Sequence, residues 1–207
     1  MPFITFEGIE GCGKTTQMRW LAERLGGGVV VTREPGGTAI GAAVRQVLLD
    51  PRSRGMTPMA ELLLYFADRA QNVAEIVRPA LAEARVVLCD RHVESSLAYQ
   101  GYGRGLSLEA IRELACLATG GLRPDLIVLV DVPVEVGLAR VGRRGAHDRL
   151  EAEVREFHDR VRAGYEALLA AEPSRWMRLD GTAPPDAVSS TLWSGLLTRG
   201  LVGSAAR

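Results

Sequence analysis

A glycine-rich segment near the amino terminus has the pattern best suited to chemistry. Residues 8–15 read GIEGCGKT, which matches the phosphate-binding pattern G-x-x-x-x-G-K-[ST]. Glycines let the backbone curl until successive N–H groups point at phosphate oxygens, and a helix that begins there adds a partial positive charge. Lys14, the only lysine among 25 basic residues, supplies a compact charge, and the Thr15 hydroxyl can bind Mg²⁺. The pattern predicts a nucleoside triphosphate site formed by Gly8, Ile9, Glu10, Gly11, Cys12, Gly13, Lys14 and Thr15, with Thr16 adjoining it.

A second polar group follows the apolar run Val86–Cys89. Asp90 at the end of this predicted strand can hold Mg²⁺, and the neighbouring Arg91 can bind phosphate oxygens. The chain cannot contain the N-K-x-D motif that reads guanine, because Asn72 is its only asparagine, and it has no D-x-x-G switch motif. These features favour phosphoryl transfer to a small acceptor over a GTPase switch.

These groups need a scaffold that brings strand ends together, and the chain alternates between short apolar runs and longer helical patterns. Such alternation predicts an α/β fold of the P-loop NTPase type, with a parallel five-stranded sheet, helices on both faces and a single domain over residues 1–207. The carboxyl ends of parallel strands share one edge, so Gly8, Arg33, Asp90 and Asp131 should meet there. The predicted strands are Phe3–Phe6, Val29–Thr32, Val86–Cys89, Leu126–Val130 and Trp176–Leu179, and the predicted helices are Lys14–Leu25, Ile40–Leu49, Met59–Ala84 (interrupted at Pro79), Leu108–Thr119, Val134–Arg143, Glu151–Ala171 and Asp186–Thr198.

Composition excludes several classes of protein. The net charge of the 207-residue chain is +0, which disfavours a long nucleic-acid duplex as a partner. No apolar run is long enough to cross a membrane, and the start MPFITFEG does not resemble a secretory signal. Cys12, Cys89 and Cys116 are odd in number and fit no zinc pattern, so we expect a cytoplasmic protein without disulfides.

Several longer motifs resemble those of one kinase family. The segments TREPGGT at 32–38, CDRH at 89–92, SSLAYQG at 95–101, RPDL at 123–126 and DVP at 131–133 are similar to ordered signatures of bacterial thymidylate kinases. The resemblance extends from about Phe3 to Asp180. It implies a nucleoside monophosphate kinase architecture, transfer of the γ-phosphoryl group of ATP to dTMP, Mg²⁺ as a cofactor, and a homodimer packed through helices.

The same resemblance implies roles for individual residues. Glu10 is expected to accept a hydrogen bond from the 3′-hydroxyl of the deoxyribose. Arg45 and Arg91 are expected to bind the acceptor phosphate, and Arg69 is expected to bind thymine O4. The remaining acceptor contacts are expected from Glu34, Ser95, Ser96 and Gln100.

Two points within the acceptor site stay open at this stage. Family members usually carry Phe where this chain has Tyr65, so Tyr65 is expected to stack on the base, with Phe66 as the alternative. Ser96 is the first candidate to exclude a ribose 2′-hydroxyl by crowding, and Tyr99 is the second.

The stretch 140–150 is rich in arginine and punctuated by glycine, which is typical of a lid. Phosphoryl transfer requires positive charge around the transferred group, and the variable positions of the phosphate loop contain no basic residue. The lid should therefore supply the catalytic arginine, with Arg143, Arg144 and Arg149 as unranked candidates beside Lys14 and Arg91. Arg140 is placed with the residues that bind the triphosphate.

Two other functions remain open from the sequence. A deoxynucleoside kinase would share the phosphate loop and the Asp-Arg pair, and would use a general base such as Glu34 near a sugar 5′-hydroxyl. A P-loop regulatory switch would bind ATP without any acceptor.

Overall fold

The sheet has the predicted all-parallel arrangement. The computed structural model describes residues 1–143 and 148–203. Its five strands form one sheet in the order β2-β3-β1-β4-β5, which confirms the predicted fold class. Their bounds are β1 (Phe3–Glu7), β2 (Val29–Arg33), β3 (Val86–Asp90), β4 (Leu126–Asp131) and β5 (Trp176–Asp180).

Strand β1 lies at the centre of the sheet and is buried along its whole length, as is nearly all of β4. Continuous apolar runs are expected when helices cover both faces of a sheet. Two polar residues of β1, Thr5 and Glu7, are nevertheless fully buried. A buried carboxylate requires hydrogen-bond partners, and Glu7 accepts from the His92 backbone N–H and from the Ser95 and Tyr165 hydroxyls.

The helices pack on both sides of this sheet. Threonine and serine caps start three of them: the Thr38, Thr57 and Ser107 hydroxyls accept backbone N–H bonds from the first turns. The helices described are α1 (Lys14–Leu25), α2 (Ala39–Leu49), α3 (Pro58–Asn72), α4 (Arg78–Ala82), α5 (Val93–Ser96), α6 (Leu108–Thr119), α7 (Val134–Gly142), α8 (Arg155–Ala171) and α9 (Pro185–Thr198).

Three stretches differ from the sequence predictions. The pattern over 59–84 is divided by a π-helical segment, Val73–Val77, which runs without a break into α4, and Pro79 is the second residue of α4. Helix α8 begins at Arg155 rather than at Glu151. Helix α5 and the π-helical segment Leu97–Gly103 that continues it were not predicted.

No helix within residues 1–143 and 148–203 is both long and apolar enough to span a membrane. The carboxyl ends of β1 to β4 meet at one edge of the sheet, where β1 leads into the phosphate loop and β3 leads into Arg91. This edge holds the candidate site.

Candidate active site

The loop between β1 and α1 is shaped by its glycines. Gly8 has a φ of +136° and Gly13 a φ of +104°, a region that side chains other than glycine rarely adopt. A Cβ atom on Gly8 would lie 2.4 Å from the Val130 carbonyl oxygen, so the close approach of β4 also requires glycine. Lys14 Nζ donates to the carbonyls of Gly8 at 2.9 Å and Ile9 at 3.0 Å. The ammonium group is thereby held inside the curl of the loop.

Helix α7 braces the loop from outside. A Cβ on Gly11 would lie 2.3 Å from the Gly137 carbonyl oxygen, so the helix packs directly on the loop backbone. Arg140 Nη1 donates to the carbonyls of Gly11 at 3.3 Å and Gly181 at 3.0 Å. Arg140 therefore holds the loop in place and also lines the cleft beside it.

A cleft of about 620 Å³ runs from this loop across the edge of the sheet. The volume is in the range of small-molecule sites. Arg33, at the end of β2, also lines it and was not among the predicted site residues. The predicted residues that line the cleft are Glu10, Gly11, Cys12, Gly13, Lys14, Thr15, Thr16, Glu34, Arg45, Tyr65, Asp90, Arg91 and Arg140.

Arg91 is held in a single position by its surroundings. Its φ of +72° lies in the left-handed region, directly after β3. Its Nη1 donates to the Ser95 and Tyr165 hydroxyls at 3.1 and 3.2 Å, and its Nη2 donates to Glu10 Oε1 at 3.0 Å and the Tyr99 hydroxyl at 3.1 Å. None of these four bonds uses Nε.

The acidic residue of the phosphate loop is compensated by these contacts. Glu10 Oε1 accepts from Arg91 and, at 2.6 Å, from the Tyr99 hydroxyl. Burial opposes ionisation, but the charges of Arg91 and Lys14 and the Tyr99 bond outweigh it and lower the pKa of Glu10. Glu10 is therefore a carboxylate that lines the cleft beside Arg91.

Glu34 and Arg69 form a buried ion pair at the inner end of the cleft. Arg69 Nε donates to Glu34 Oε2 at 2.6 Å, and both side chains are 1% exposed. Arg69 also donates to Ser96 Oγ at 3.0 Å and to the His92 carbonyl at 2.7 Å. Glu34 Oε1 accepts from Asn72 Nδ2 at 3.0 Å and lies 3.1 Å from His92 Nδ1. Neither Asn72 nor His92 was predicted as part of the site.

A small cavity of about 20 Å³ lies at the inner end of the cleft. It brings together eight of the nine residues assigned to the acceptor, and Arg45, the ninth, lines the larger cleft. Tyr99 also lines the small cavity. The eight are Glu10, Glu34, Tyr65, Arg69, Arg91, Ser95, Ser96 and Gln100.

The two aromatic candidates for base stacking differ in position. Tyr65 lines both the cleft and the small cavity. The Phe66 ring packs under the Arg69 guanidinium, 4.7 Å from it, and is 5% exposed. Of the two, Tyr65 is the ring that the helix presents to the cleft.

Arg149 differs from the other predicted arginines. Its Nη1 lies 2.6 Å from Glu61 Oε2, its Nε donates to the Leu48 carbonyl at 2.7 Å, and it is 6% exposed. These bonds hold it against α2 and α3, so the structure does not bring its guanidinium to the phosphate loop. Gln100 Nε2 also donates to Glu61, at 2.8 Å.

The other lid arginines are placed only in part. Arg143 follows the end of α7 and is exposed. Arg144 lies outside the described residues.

Two residues could hold a metal ion. Asp90 lines the cleft, and its Oδ1 atom is buried without a hydrogen-bond partner among the described residues. Thr15 is exposed at the start of α1 on the same cleft. No cluster of three or more His, Cys, Asp or Glu suited to a metal occurs in the described part of the chain. One carboxylate and one hydroxyl fit Mg²⁺, which usually binds one or two protein ligands together with substrate phosphates.

Three further residues complete the site and were not assigned from the sequence. Glu7, Tyr165 and His158 are buried next to Arg91 and Glu10. For Glu7 a signal existed, because a glutamate ends an otherwise mostly apolar strand directly before the phosphate loop. For Tyr165 and His158 no signal existed, since α8 brings them to the site over more than 140 residues of chain.

Comparison with known proteins places this arrangement in a family. The family model described as thymidylate kinase matches residues 6–192. A thymidylate kinase from a Synechococcus species is 57% identical over 197 residues, with 93% of each chain covered. The thymidylate kinase of Deinococcus radiodurans is 52% identical over 201 residues, which cover 96% of this chain and 97% of that one.

A solved structure agrees with these relatives. The crystal structure of thymidylate kinase from Ehrlichia chaffeensis superimposes with a TM-score of 0.77 at 34% identity, covering 94% of this chain and 98% of that one. The family match over residues 6–192 includes the phosphate loop, Arg91 and the residues that line the small cavity. The chain therefore belongs to the thymidylate kinase family, as its motifs predict.

Proposed function

We propose that the cleft binds ATP and dTMP end to end and transfers the γ-phosphoryl group between them, giving ADP and dTDP. The reaction is that of the family. The observation that carries the proposal for this chain is the continuous cleft, which joins the phosphate loop to the acceptor residues around Arg91. Phosphoryl transfer depends mainly on positioning and charge neutralisation, and this cleft provides both.

On the donor side, Lys14 and the loop N–H groups bind the β- and γ-phosphates. The ammonium group now donates to two loop carbonyls, and those bonds hold it where a phosphate oxygen would enter. Thr15 and Asp90 would hold Mg²⁺, which would neutralise charge on the phosphates when bound. Asp90→Asn should raise the Mg²⁺ concentration needed for half-maximal rate at least about tenfold. An unchanged requirement would remove Asp90 from this role.

On the acceptor side, Arg91 and Arg45 bind the dTMP phosphate. The Nε–H of Arg91 is free of the four bonds that fix its two terminal nitrogens. Arg45 donates through one nitrogen to the Pro35 carbonyl at 2.9 Å, and guanidinium groups carry five donors. The phosphate of dTMP is already anionic, so no general base is needed.

The sugar and base are placed by the residues around the small cavity. Glu10 accepts a hydrogen bond from the 3′-hydroxyl, Tyr65 stacks on the thymine ring, and Arg69, Ser96 and Gln100 lie at the base edge. Tyr99 is a better candidate than Ser96 to exclude a 2′-hydroxyl. The Tyr99 hydroxyl donates to Glu10, and Glu10 would bind the 3′-hydroxyl, next to the 2′ position of the sugar.

Residues 140–150 act as a lid in this proposal, as part of a single kinase domain. Arg143 and Arg144 are the candidates to contact the transferred group, because Arg149 is bound to Glu61. Replacing each of the two with Ala separately should identify the catalytic arginine as the one that lowers kcat by about a hundredfold or more. Two variants with unchanged kcat would place that charge elsewhere.

We also propose a cytoplasmic homodimer. Three free cysteines fit a reducing compartment. Apolar side chains stand exposed on α2 and α3, with Leu63 49% and Met59 46% exposed. Light scattering should give twice the chain mass, and Leu63→Glu should give the monomer mass. A monomeric wild-type protein would refute the dimer.

The acceptor assay tests the function as a whole. ADP release is measured with ATP and Mg²⁺ in the presence of dTMP, dUMP, dCMP, dGMP, AMP or thymidine. We expect rapid turnover with dTMP and slower turnover with dUMP. Turnover with thymidine but not with dTMP would instead favour a nucleoside kinase with Glu34 as the base. ATP hydrolysis without any acceptor dependence would favour a P-loop switch.

A further inference from the structure

We infer that Glu7 is a positioning residue for the acceptor: it directs the hydroxyl protons of Ser95 and Tyr165 away from Arg91, so that both oxygens accept from the Arg91 guanidinium. Glu7 ends β1 and is 0% exposed. It lies one shell behind the cleft and does not line it. The inference rests on the proposed role of Arg91 in binding the dTMP phosphate.

The hydrogen bonds around Glu7 have a definite direction. Ser95 Oγ donates to Glu7 Oε2 at 2.5 Å, and the Tyr165 hydroxyl donates to the same oxygen at 2.8 Å. Each hydroxyl has one proton. Because both protons point at Glu7, the lone pairs of both oxygens are free for Arg91 Nη1, at 3.1 Å from Ser95 and 3.2 Å from Tyr165.

The second oxygen of Glu7 holds the backbone that carries Arg91. Glu7 Oε1 accepts from the backbone N–H of His92 at 2.8 Å, directly after Arg91. The Arg91 N–H in turn donates to the Phe6 carbonyl at 3.0 Å. Glu7 thus fixes both the left-handed backbone turn at Arg91 and two of the four bonds of its guanidinium.

Without the carboxylate, the two hydroxyls have an alternative. Ser95 Oγ and the Tyr165 hydroxyl lie 3.0 Å apart and can bond to each other. One hydroxyl would then donate to its neighbour, and the neighbour would be free to turn its own proton toward Arg91. Arg91 would then face a donor where it now has an acceptor. The guanidinium would lose part of its support on the side of Nη1.

Glu7→Gln is a sharp test because an amide cannot satisfy all of these contacts. If its NH₂ group faces Ser95 and Tyr165, both hydroxyls lose the acceptor for their protons; one hydroxyl can donate to the other, and the second is then free to turn its proton toward Arg91. If the NH₂ group faces His92, two donors meet. Either orientation breaks a bond while the size and shape of the side chain are kept.

A neighbouring glutamate supplies the matched control. Glu94 is 7% exposed and close enough to affect the ionisation of Glu7, and it pairs with Arg175 at 3.9 Å. Glu94→Gln makes the same chemical change in a similarly buried place without touching the two hydroxyls. Tyr165→Phe removes one of the two hydroxyls and leaves the ring that packs beside Trp176.

The measurement is steady-state kinetics with dTMP and ATP varied separately, one pH unit or more above the pKa of Glu7, which burial and the nearby Glu94 raise to about 7. We expect Glu7→Gln to lower kcat/KM for dTMP by about tenfold to a hundredfold, while KM for ATP stays within about twofold. Tyr165→Phe should lower kcat/KM for dTMP by about threefold to tenfold, and Glu94→Gln should stay within about twofold of wild type. Adding Glu7→Gln to the Tyr165→Phe enzyme should lower kcat/KM for dTMP by a smaller factor than adding it to the wild type, because Glu7 has already lost one of its two hydroxyl partners.

Several results would overturn the inference. One is a Glu7→Gln enzyme with unchanged dTMP kinetics, and another is an equal loss for ATP and dTMP, which would indicate a general structural defect. If Glu7→Gln does not fold, Tyr165→Phe decides, and unchanged dTMP kinetics in that variant would refute the mechanism.

Arg91→Lys in the same series separates this inference from the function on which it rests. Full activity of Arg91→Lys would remove the role of Arg91 in binding the acceptor, and the role of Glu7 with it. Loss of activity in Arg91→Lys together with normal Glu7→Gln and Tyr165→Phe would refute only the positioning by Glu7.

Discussion

Replacing Glu34 with Gln should destabilise the folded protein by about 3 kcal/mol at neutral pH. Glu34 is 2% exposed and binds Arg69 at 2.6 Å, Asn72 at 3.0 Å and His92 at 3.1 Å. Burial opposes its ionisation, but the His92 and Arg69 charges and these hydrogen bonds outweigh burial and lower the pKa of Glu34 from 4.5 to about 2. A shift of this size corresponds to roughly 3 kcal/mol, and the general cost of breaking a buried ion pair, about 3–5 kcal/mol, agrees with it.

The assay is urea unfolding at a series of pH values. At pH 7 the midpoint temperature of the variant should also fall by about 6–12 °C for a chain of this size. Because the pKa is lower in the folded state, the stabilisation by Glu34 is present above its unfolded value of 4.5 and is lost as the pH falls through about 2. The difference in free energy of unfolding between wild type and Glu34→Gln should therefore be constant around neutral pH and should become smaller below pH 4.5.

Glu135→Gln is the control for this experiment. Glu135 pairs with Arg155 at 3.4 Å, but both side chains are 61% exposed. Exposed pairs contribute little, so this variant should stay within about 0.5 kcal/mol of wild type. The reasoning is refuted if Glu34→Gln lowers the free energy of unfolding by less than about 1 kcal/mol at neutral pH. It is also refuted if the difference in free energy of unfolding between Glu34→Gln and wild type is the same at neutral and at strongly acid pH.

Three further predictions concern the site. Lys14→Ala should lower kcat by about a thousandfold in the acceptor assay while the thermal midpoint changes little, and near-full activity would contradict its assignment. Tyr65→Ala should raise KM for dTMP by about tenfold or more through loss of stacking, whereas Tyr65→Phe should leave it nearly unchanged; equal effects would remove the stacking role. Burial, reinforced by Glu94, raises the pKa of Glu7 from 4.5 to about 7 in the folded state, so the folded protein holds this proton more tightly than the unfolded chain does. The free energy of unfolding should therefore fall by about 3 kcal/mol as the pH rises from 4.5 to 7. Urea unfolding should show that this fall is absent in Glu7→Gln, and an identical pH dependence in both proteins would assign the fall to other groups.

The phosphate loop, with its flanking strand and helix, could be predicted because the pattern that forms it is local. A phosphate loop needs glycines, a lysine and a hydroxyl at fixed spacing, and the strand and helix around it follow from the next few residues. The five strands could be predicted for a related reason, since each is a short apolar run between polar turns. All neighbouring strands pair in parallel, as the alternation of strands and helices predicts.

The irregular helical segments were beyond such local rules. Residues 93–103 form a short helix that continues as π-helical turns. The two serines and the glycine of SSLAYQG do not favour a helix. Packing against α8 holds this segment, with Gly103 close to the Phe157 ring and Gly164 close to Tyr102. Tertiary contacts of this kind override local propensity.

The partner of each buried charge also depends on the folded chain. The Arg149 prediction assumed that an arginine in a glycine-rich stretch stays available for phosphate. Its bond to Glu61 joins residues 88 positions apart, and Leu48 adds a backbone acceptor. A sequence shows that an arginine is present, but the burial of a distant glutamate decides where that arginine binds.

These pairings explain how a site with so much buried charge remains stable. Glu10 binds Arg91, Glu34 binds Arg69, and Glu61 binds Arg149 and Arg104. A single unpaired buried charge would cost several kcal/mol, whereas paired and hydrogen-bonded charges can be retained at little net cost. The arginines are also held in place before dTMP enters, so less side-chain entropy is lost on binding. An acidic residue inside an anion-binding loop, as at Glu10, is consistent with this arrangement, because it holds Arg91, the arginine that we propose for the acceptor phosphate.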